Sequence, residues 1–306
     1  MARIGLVDVD SKIPNLALMK LSSWHKAQGD DVFHFTPIEH AIEPFDIVYA
    51  SKVFTGSADN VYLPEGAILG GTGYGLNNAL PEEIEHTCPD YELYGANYSM
   101  GFTSRGCVRK CGFCVVPEKE GKIHEHSPLS EFTRHRKVIL MDNNFLASPM
   151  AAEKLIEIKE KKLRVDFNQG LDIRLMTPEF ARLLTAANPS ILRFAWDNMT
   201  DEPAVKNGLA MLRDAGYPIN HRKISFYVLT NYNTSFADDF YRVKYLHAHD
   251  IGTFVMLYDK EQSTQLQRQF QSWANFAWAW CRYGFDKWLK IKKVNIENAN
   301  NSMVMK

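Results

Sequence analysis

Apolar positions along the chain recur in two rhythms, and the changes between them mark the predicted elements. "RIGLVDV" (3–9) is a short β-branched run that predicts a strand. In "PNLALMKLSSWHKAQGD" (14–30), Ala17, Leu18, Leu21 and Trp24 recur at three- and four-residue spacing, one face of an amphipathic helix. Pro14 fits its first turn and Gly29 fits just past its end. "DVFHF" (31–35), "DIVYAS" (46–51) and "GAILGG" (66–71) predict further short strands, so residues 1–95 read as a small parallel α/β sheet. From Tyr98 the alternation is more regular. Strands at 138–142, 164–169, 191–197, 224–230 and 253–259 are each followed by a helical pattern, at 149–162, from Thr177-Pro178-Glu179, at 201–214, at 235–249 and at 263–283. With the strand before Cys107, that is a series of six strand–helix units, which predicts a barrel or partial barrel with its active site at the C-terminal strand ends. The tail at 295–306 is polar and without periodicity.

Composition adds bounds rather than direction. The 306 residues are 45% apolar and 23% charged, the balance of a globular chain with a sizeable core. A formal charge of −1 gives no global attraction to nucleic acid or to an anionic membrane. Two local basic runs, "RHRK" (134–137) and "KWLKIKK" (287–293), read as solvated helix faces. The start lacks the charged and apolar regions of a signal peptide, and no run approaches the roughly 18 apolar residues of a membrane span. Five cysteines, three of them clustered, do not form a secreted disulfide framework. The expectation is a cytoplasmic protein with reduced thiols and no membrane partner.

The candidate chemistry lies in "GCVRKCGFCVVPEKEG" (106–121), where Cys107, Cys111 and Cys114 fall within eight positions. A structural zinc site pairs its ligands and closes a tetrahedron; here it would need His124 or His126 as a fourth. Iron–sulfur chemistry accommodates three thiolates better, because one iron left open suits catalysis. Gly106 and Gly112 allow the backbone to wrap a bulky group, and Arg105, Arg109 and Lys110 would offset its negative charge.

Cys107-Val-Arg-Lys-Cys111-Gly-Phe-Cys114 resembles the C-x3-C-x-aromatic-C signature of the radical S-adenosylmethionine (SAM) superfamily, with Phe113 as the aromatic. The resemblance implies a 4Fe–4S cluster on the three cysteines, with the amino and carboxylate groups of SAM on the fourth iron. One-electron reduction, by a flavodoxin or ferredoxin, would then cleave SAM to methionine and a 5′-deoxyadenosyl radical. It also implies that Phe113 and the later strand ends contact SAM. Asp142, Asn143 and Asn144 are candidates for its amino group, Gln169 for the barrel mouth and Arg174 for its carboxylate. "AWDN" (195–198) and "LTNYNT" (229–234) would reach ribose hydroxyls, and "VMLYD" (255–259) the adenine.

Two branches of the superfamily share features with this chain. "CVVP" is similar to the methylthiotransferases that modify tRNA or a ribosomal protein, but only Cys88 stands where those carry three further cysteines. "NQGLDIRLMTPE" (168–179), "VMLYD" and "ILGGTGYG" (68–75) resemble members with an N-terminal cobalamin-binding-type domain. The cobalt-ligating D-x-H-x-x-G motif is missing, and His25 reads as a surface or packing histidine, so no cobalamin is expected. The expected fold class is therefore α/β: a Rossmann- or flavodoxin-like parallel-sheet domain at 1–97, a partial (β/α)6 barrel at 98–290, and a flexible tail at 291–306. The expected function is a radical SAM enzyme of unidentified substrate. Methylthiotransferase- or methyltransferase-like modification of a nucleic acid stands second, and a non-catalytic zinc- or cluster-bearing module third. No residue reads as general acid, base or radical relay. Cys281 is expected to be a buried structural cysteine, and the aromatic helix at 273–288 a packing element.

Overall fold

The computed structural model describes residues 1–35, 44–58 and 63–293; of the tail predicted at 291–306, residues 294–306 lie outside them. The chain is a mixed α/β protein with parallel sheets and divides into two compact units, Met1–Asn143 and Asn144–Lys306. Among the described residues no helix is long and apolar enough to cross a membrane.

The first unit opens with β1 (Arg3–Asp8), α1 (Leu16–Ala27), β2 (Asp31–Phe35), β3 (Ile47–Ser51) and β4 (Ile68–Gly70), followed by the short helix α2 (Glu82–Glu85). Its parallel sheet runs β2-β1-β3-β4. Ile4, Leu6 and Val7 are fully buried, the continuous apolar run required of a central parallel strand covered on both faces. Leu18 and Leu21 of α1 close one face against Ile4, Leu6 and Ile84, while Met19 packs with Tyr91 and Met100. The helix begins later than Pro14. Asn15 is its cap, accepting from the Leu18 amide at 3.3 Å, and the same side chain donates to Ser51 Oγ at 2.9 Å. That double engagement fixes the boundary where a proline alone would have placed it one turn position earlier. Gly29, at φ 82°, follows the helix as expected.

The same unit continues with β5 (Ser99–Gly101), β6 (Ser104–Arg105), helix α3 (Val116–Lys119), β7 (His124–Glu125), helix α4 (Leu129–Phe132) and β8 (Lys137–Leu140). β5 and β8 pair in parallel, whereas β6 and β7 pair antiparallel and bracket the cysteine loop. The single strand predicted before Cys107 is thus two short ones.

The second unit carries α5 (Ala151–Glu160), β9 (Arg164–Phe167), α6 (Pro178–Ala187), β10 (Leu192–Ala195), α7 (Glu202–Asp214), β11 (Ile224–Thr230), α8 (Phe236–Ala248) and β12 (Gly252–Leu257). Strands β10, β11 and β12 are parallel and in sequence order, and β9 joins β10 through the bridges Asp166–Ile191 and Leu171–Phe194. Leu192, Phe194, Phe226, Val228 and Val255 are buried on one face; the alternate positions Arg193, Tyr227 and Phe254 share the other. Each following helix starts where a cap directs it, at Thr177 for α6 and in a reciprocal capping box at Ser235 for α8.

The helix predicted over 263–283 breaks into α9 (Gln265–Asn275), α10 (Ala277–Trp280) and α11 (Phe285–Ile291). Asn275 accepts from the Val255 amide at 2.6 Å and donates to the Val255 carbonyl at 3.1 Å, imitating a strand along β12. Phe276 adopts extended backbone there, at φ −111° and ψ 106°, and the helix ends. The aromatic stretch does pack, with Phe240, Phe270, Trp273 and Phe285 interlocked, although Phe276 and Trp278 are exposed.

Candidate functional site

The cysteine loop is closed at its base by backbone and side chain together. Gly106 has φ 76°, and a Cβ there would stand 2.3 Å from the Lys122 carbonyl oxygen, so only glycine fits this crossing. The Cys107 amide donates to the Gly121 carbonyl at 3.2 Å, joining the two ends. Inside the loop, the Arg109 amide donates to Cys107 Sγ at 3.3 Å, and the Cys114 amide donates to the Cys111 carbonyl at 3.0 Å in a tight turn that carries Phe113. Cys107 and Cys111 are half-buried, Cys114 is exposed, and none of the three is in a disulfide. Among the described residues no group of three or more His, Cys, Asp or Glu side chains is arranged to hold a metal ion. What the loop offers is three thiols on one closed turn, with one amide directed at a sulfur.

Beneath the loop runs a chain of charges. Glu120, just before the loop closes, accepts from the Gly106 amide at 3.0 Å, from Asn143 Nδ2 at 2.5 Å and from Arg105 Nη1 at 3.0 Å. The other arm of the Arg105 fork donates to Glu85 Oε1 at 3.0 Å, and its guanidinium lies 3.7 Å from the Phe102 ring centroid. Glu85 also accepts from Lys20 Nζ at 3.0 Å and pairs with His126 Nε2 at 3.1 Å. Burial by itself would raise the Glu85 carboxyl, but the His126 hydrogen bond and the Lys20 and Arg105 charges hold it far below the usual carboxylate range. At Lys20 burial outweighs the Glu85 and Glu131 carboxylates, and the ammonium is lowered. Burial also lowers Lys119, whose Nζ donates to Thr72 Oγ1 at 2.7 Å in the segment that follows β4.

The strand-end candidates are placed as follows. Asp142 is 3% exposed and accepts from the amides and hydroxyls of Thr103 and Ser104 at 2.6–3.1 Å, which occupies both its oxygens in fixing β6. Asn143 is turned to Glu120. In the second unit, buried Asn144 donates to Asp172 Oδ2 at 3.4 Å. Arg174 donates to Asp172 Oδ1 at 2.6 Å and to Asp201 Oδ2 at 3.3 Å, so its fork faces two aspartates. Gln169 is exposed in the turn after β9. Asp197, ending the "AWDN" run, accepts from the Leu229 amide at 3.0 Å; burial raises its carboxyl despite that bond and the nearby Arg242 and Arg174 charges. Asn231 and Asn233 in "LTNYNT" take positive φ, 64° and 51°, where asparagine is tolerated.

Other expectations resolve more simply. His25 is 3% exposed, with Nδ1 on Asp30 at 2.9 Å and Nε2 on Tyr49 Oη at 3.1 Å, a packing histidine. The reversal of strand order between β1 and β3, where open parallel sheets bind ligands, is bridged by its own groups. Asp10 accepts from the Val53 and Phe54 amides at 2.7 and 2.9 Å, and Asn15 reaches Ser11 and Ser51. Cys281 is exposed, which corrects the expectation of a buried structural cysteine. It follows directly on α10, a short turn ahead of the break before α11, and its helix face is turned outward.

Sequence reasoning passed over Lys20, Glu85 and Glu120. The first two stand too far from the loop in sequence to signal a role. Glu120 lies inside the quoted "PEKEG", and its place just before Gly121 was the one available sign. Comparison with models of known protein families finds no match to this chain, and comparison with curated proteins finds none either.

Proposed function

We propose that the protein is a radical SAM enzyme, with Cys107, Cys111 and Cys114 as ligands of a 4Fe–4S cluster and SAM as its co-substrate. The observation that carries the reading is the C-x3-C-x-Phe-C spacing on one closed loop, set between β6 and α3 at the head of a strand–helix series. Such a cluster, when bound, supplies one-electron reductive cleavage of SAM. The chain's own part is to hold the loop and to offer polar groups beside it. Glu120 and Gly121 hold the loop's base, Asp142 fixes β6 through Thr103 and Ser104, and Asn143 carries an amide at the end of β8. The finer fold belongs to the same proposal: a Rossmann-like N-terminal sheet and a partial (β/α)6 barrel over the later units.

A zinc module would need a histidine as fourth ligand. His126 is engaged by Glu85 and lies against the His86 ring, centroids 5.0 Å apart, while His124 Nδ1 is bonded to the Lys122 carbonyl at 2.9 Å. Each engagement occupies one ring nitrogen only, so metal content decides between zinc and the cluster. The test is metal analysis after anaerobic reconstitution of the full chain. The proposal expects about four irons per chain with broad iron–sulfur absorbance. One zinc per chain and no iron would contradict it.

A further inference from the structure

The charge chain under the loop links two parts of the first unit that are distant in sequence. Lys20 belongs to α1, Glu85 ends α2, Arg105 belongs to β6, and Glu120 closes the cysteine loop. Their side chains are 6%, 15%, 22% and 12% exposed, so each carries a charge that water screens weakly. Two cations and two carboxylates alternate, and the sum is neutral. Arg105 is the shared member: its planar fork bridges Glu85 and Glu120, a geometry a lysine could not reproduce.

We propose that Glu120 is the positioning residue of the cysteine loop, and that Arg105, Glu85 and Lys20 hold it in place from the N-terminal sheet. Three features support this. Glu120 accepts from the Gly106 amide immediately before Cys107, so the carboxylate sets where the first thiol begins. It also accepts from Asn143 at the end of β8, so loop and strand end share one anchor. The Gly106 crossing at φ 76° admits no Cβ, so the Glu120 carboxylate on the Gly106 amide acts beside the Cys107–Gly121 backbone bond in fixing that position. The N-terminal sheet then serves as the loop's support.

The electrostatic consequence follows from the neutral sum. Glu120→Gln leaves Arg105 with one carboxylate and adds a net positive charge beside the thiols. A reduced cluster is more negative than an oxidised one, so this variant raises its potential. The inference rests on the cluster reading for that arm only; thiol reactivity tests the positioning independently.

The experiment uses the full chain in both arms. Without iron, iodoacetamide labelling resolved by peptide mass spectrometry is expected to modify Cys107 at least threefold faster in Glu120→Gln than in wild type. Glu118→Gln, which removes the same charge from an exposed position two residues away, is expected to leave the rate unchanged. After anaerobic reconstitution, Glu120→Gln is expected to shift the one-electron equilibrium about threefold toward the reduced form, roughly 28 mV at 59 mV per decade. Arg105→Lys, which keeps the charge and loses the fork, is expected to accelerate labelling too, and it decides the matter if Glu120→Gln fails to fold. Wild-type labelling rates in the folded variant, or labelling accelerated equally by Glu118→Gln, overturn the proposal. A wild-type chain that takes up no iron overturns the cluster reading and leaves the labelling arm to judge Glu120.

Discussion

Each unit buries an ion pair beside the loops that follow its strands, and the two pairs are built differently. In the second unit Arg242 is fully buried and Asp239 is 2% exposed by side chain. Arg242 donates to the Trp196 carbonyl and to the Leu229 carbonyl, while Asp239 accepts from the Asn231 amide and Thr234 Oγ1. One pair on α8 therefore fastens the segments leaving β10 and β11. Its Nε has no hydrogen-bond partner among the described residues, a cost borne inside the unit. In the first unit the charges form a four-membered chain that reaches partial exposure, and its end holds a loop whose last cysteine is exposed. The contrast separates a scaffold device, dry and local in sequence, from a positioning device that spans a hundred residues and ends at reactive groups.

The largest expected effect breaks the scaffold device. Arg242→Met leaves Asp239 charged and buried, and stability measured by urea unfolding is expected to fall by about 3–5 kcal/mol. A loss under about 1 kcal/mol would mean that the pair is not the anchor described. Next comes the acid behaviour of the first unit. The Glu85 carboxyl is held below its unfolded value, so its contribution is complete above about pH 4.3 and is lost as pH falls through the native value. Glu85→Gln is expected to cost about 1–3 kcal/mol at neutral pH and to flatten the acid limb of a stability–pH curve. An acid limb as steep as wild type would show that another group controls it.

At neutral pH the smallest effect lies in the aromatic packing of the second unit. Burial pushes His247 down to about 3, where its ring stacks on Trp280 at 4.1 Å and 12°. The unfolded chain binds that proton near pH 6.5 and the native chain does not, so stability falls as pH drops from 6.5 toward 3. The expected slope is at most about 1.4 kcal/mol per pH unit. His247→Gln is expected to remove that slope between pH 6.5 and 4.5, above the range where Glu85 acts, as read by thermal melts.

What the sequence made legible was local. The apolar run at 224–230 became β11 residue for residue, and Thr177 and Ser235 capped the helices their positions announced. Boundaries failed where a side chain answered to a distant partner. Asn15 overrode Pro14 because it also bonds Ser51, and Asn275 ended α9 because it bonds Val255. At the candidate site the three cysteines and Phe113 were visible as spacing, since one loop carries them all. Asp142 and Arg174 were visible as polar strand-end residues, but their commitments to Thr103, Ser104, Asp172 and Asp201 depend on tertiary contacts. Lys20 and Glu85 had no local signature, because a charge chain of this kind exists only after α1, α2 and β6 have come together.

The central claim is that the cysteine loop serves radical SAM chemistry. Its most direct test is formation of 5′-deoxyadenosine when the anaerobically reconstituted full chain is reduced with SAM present. The account predicts that product from the wild-type protein and none from Cys107→Ala carrying the same treatment. Iron-loaded wild-type protein that leaves SAM intact under reduction, or equal product from Cys107→Ala, would contradict it.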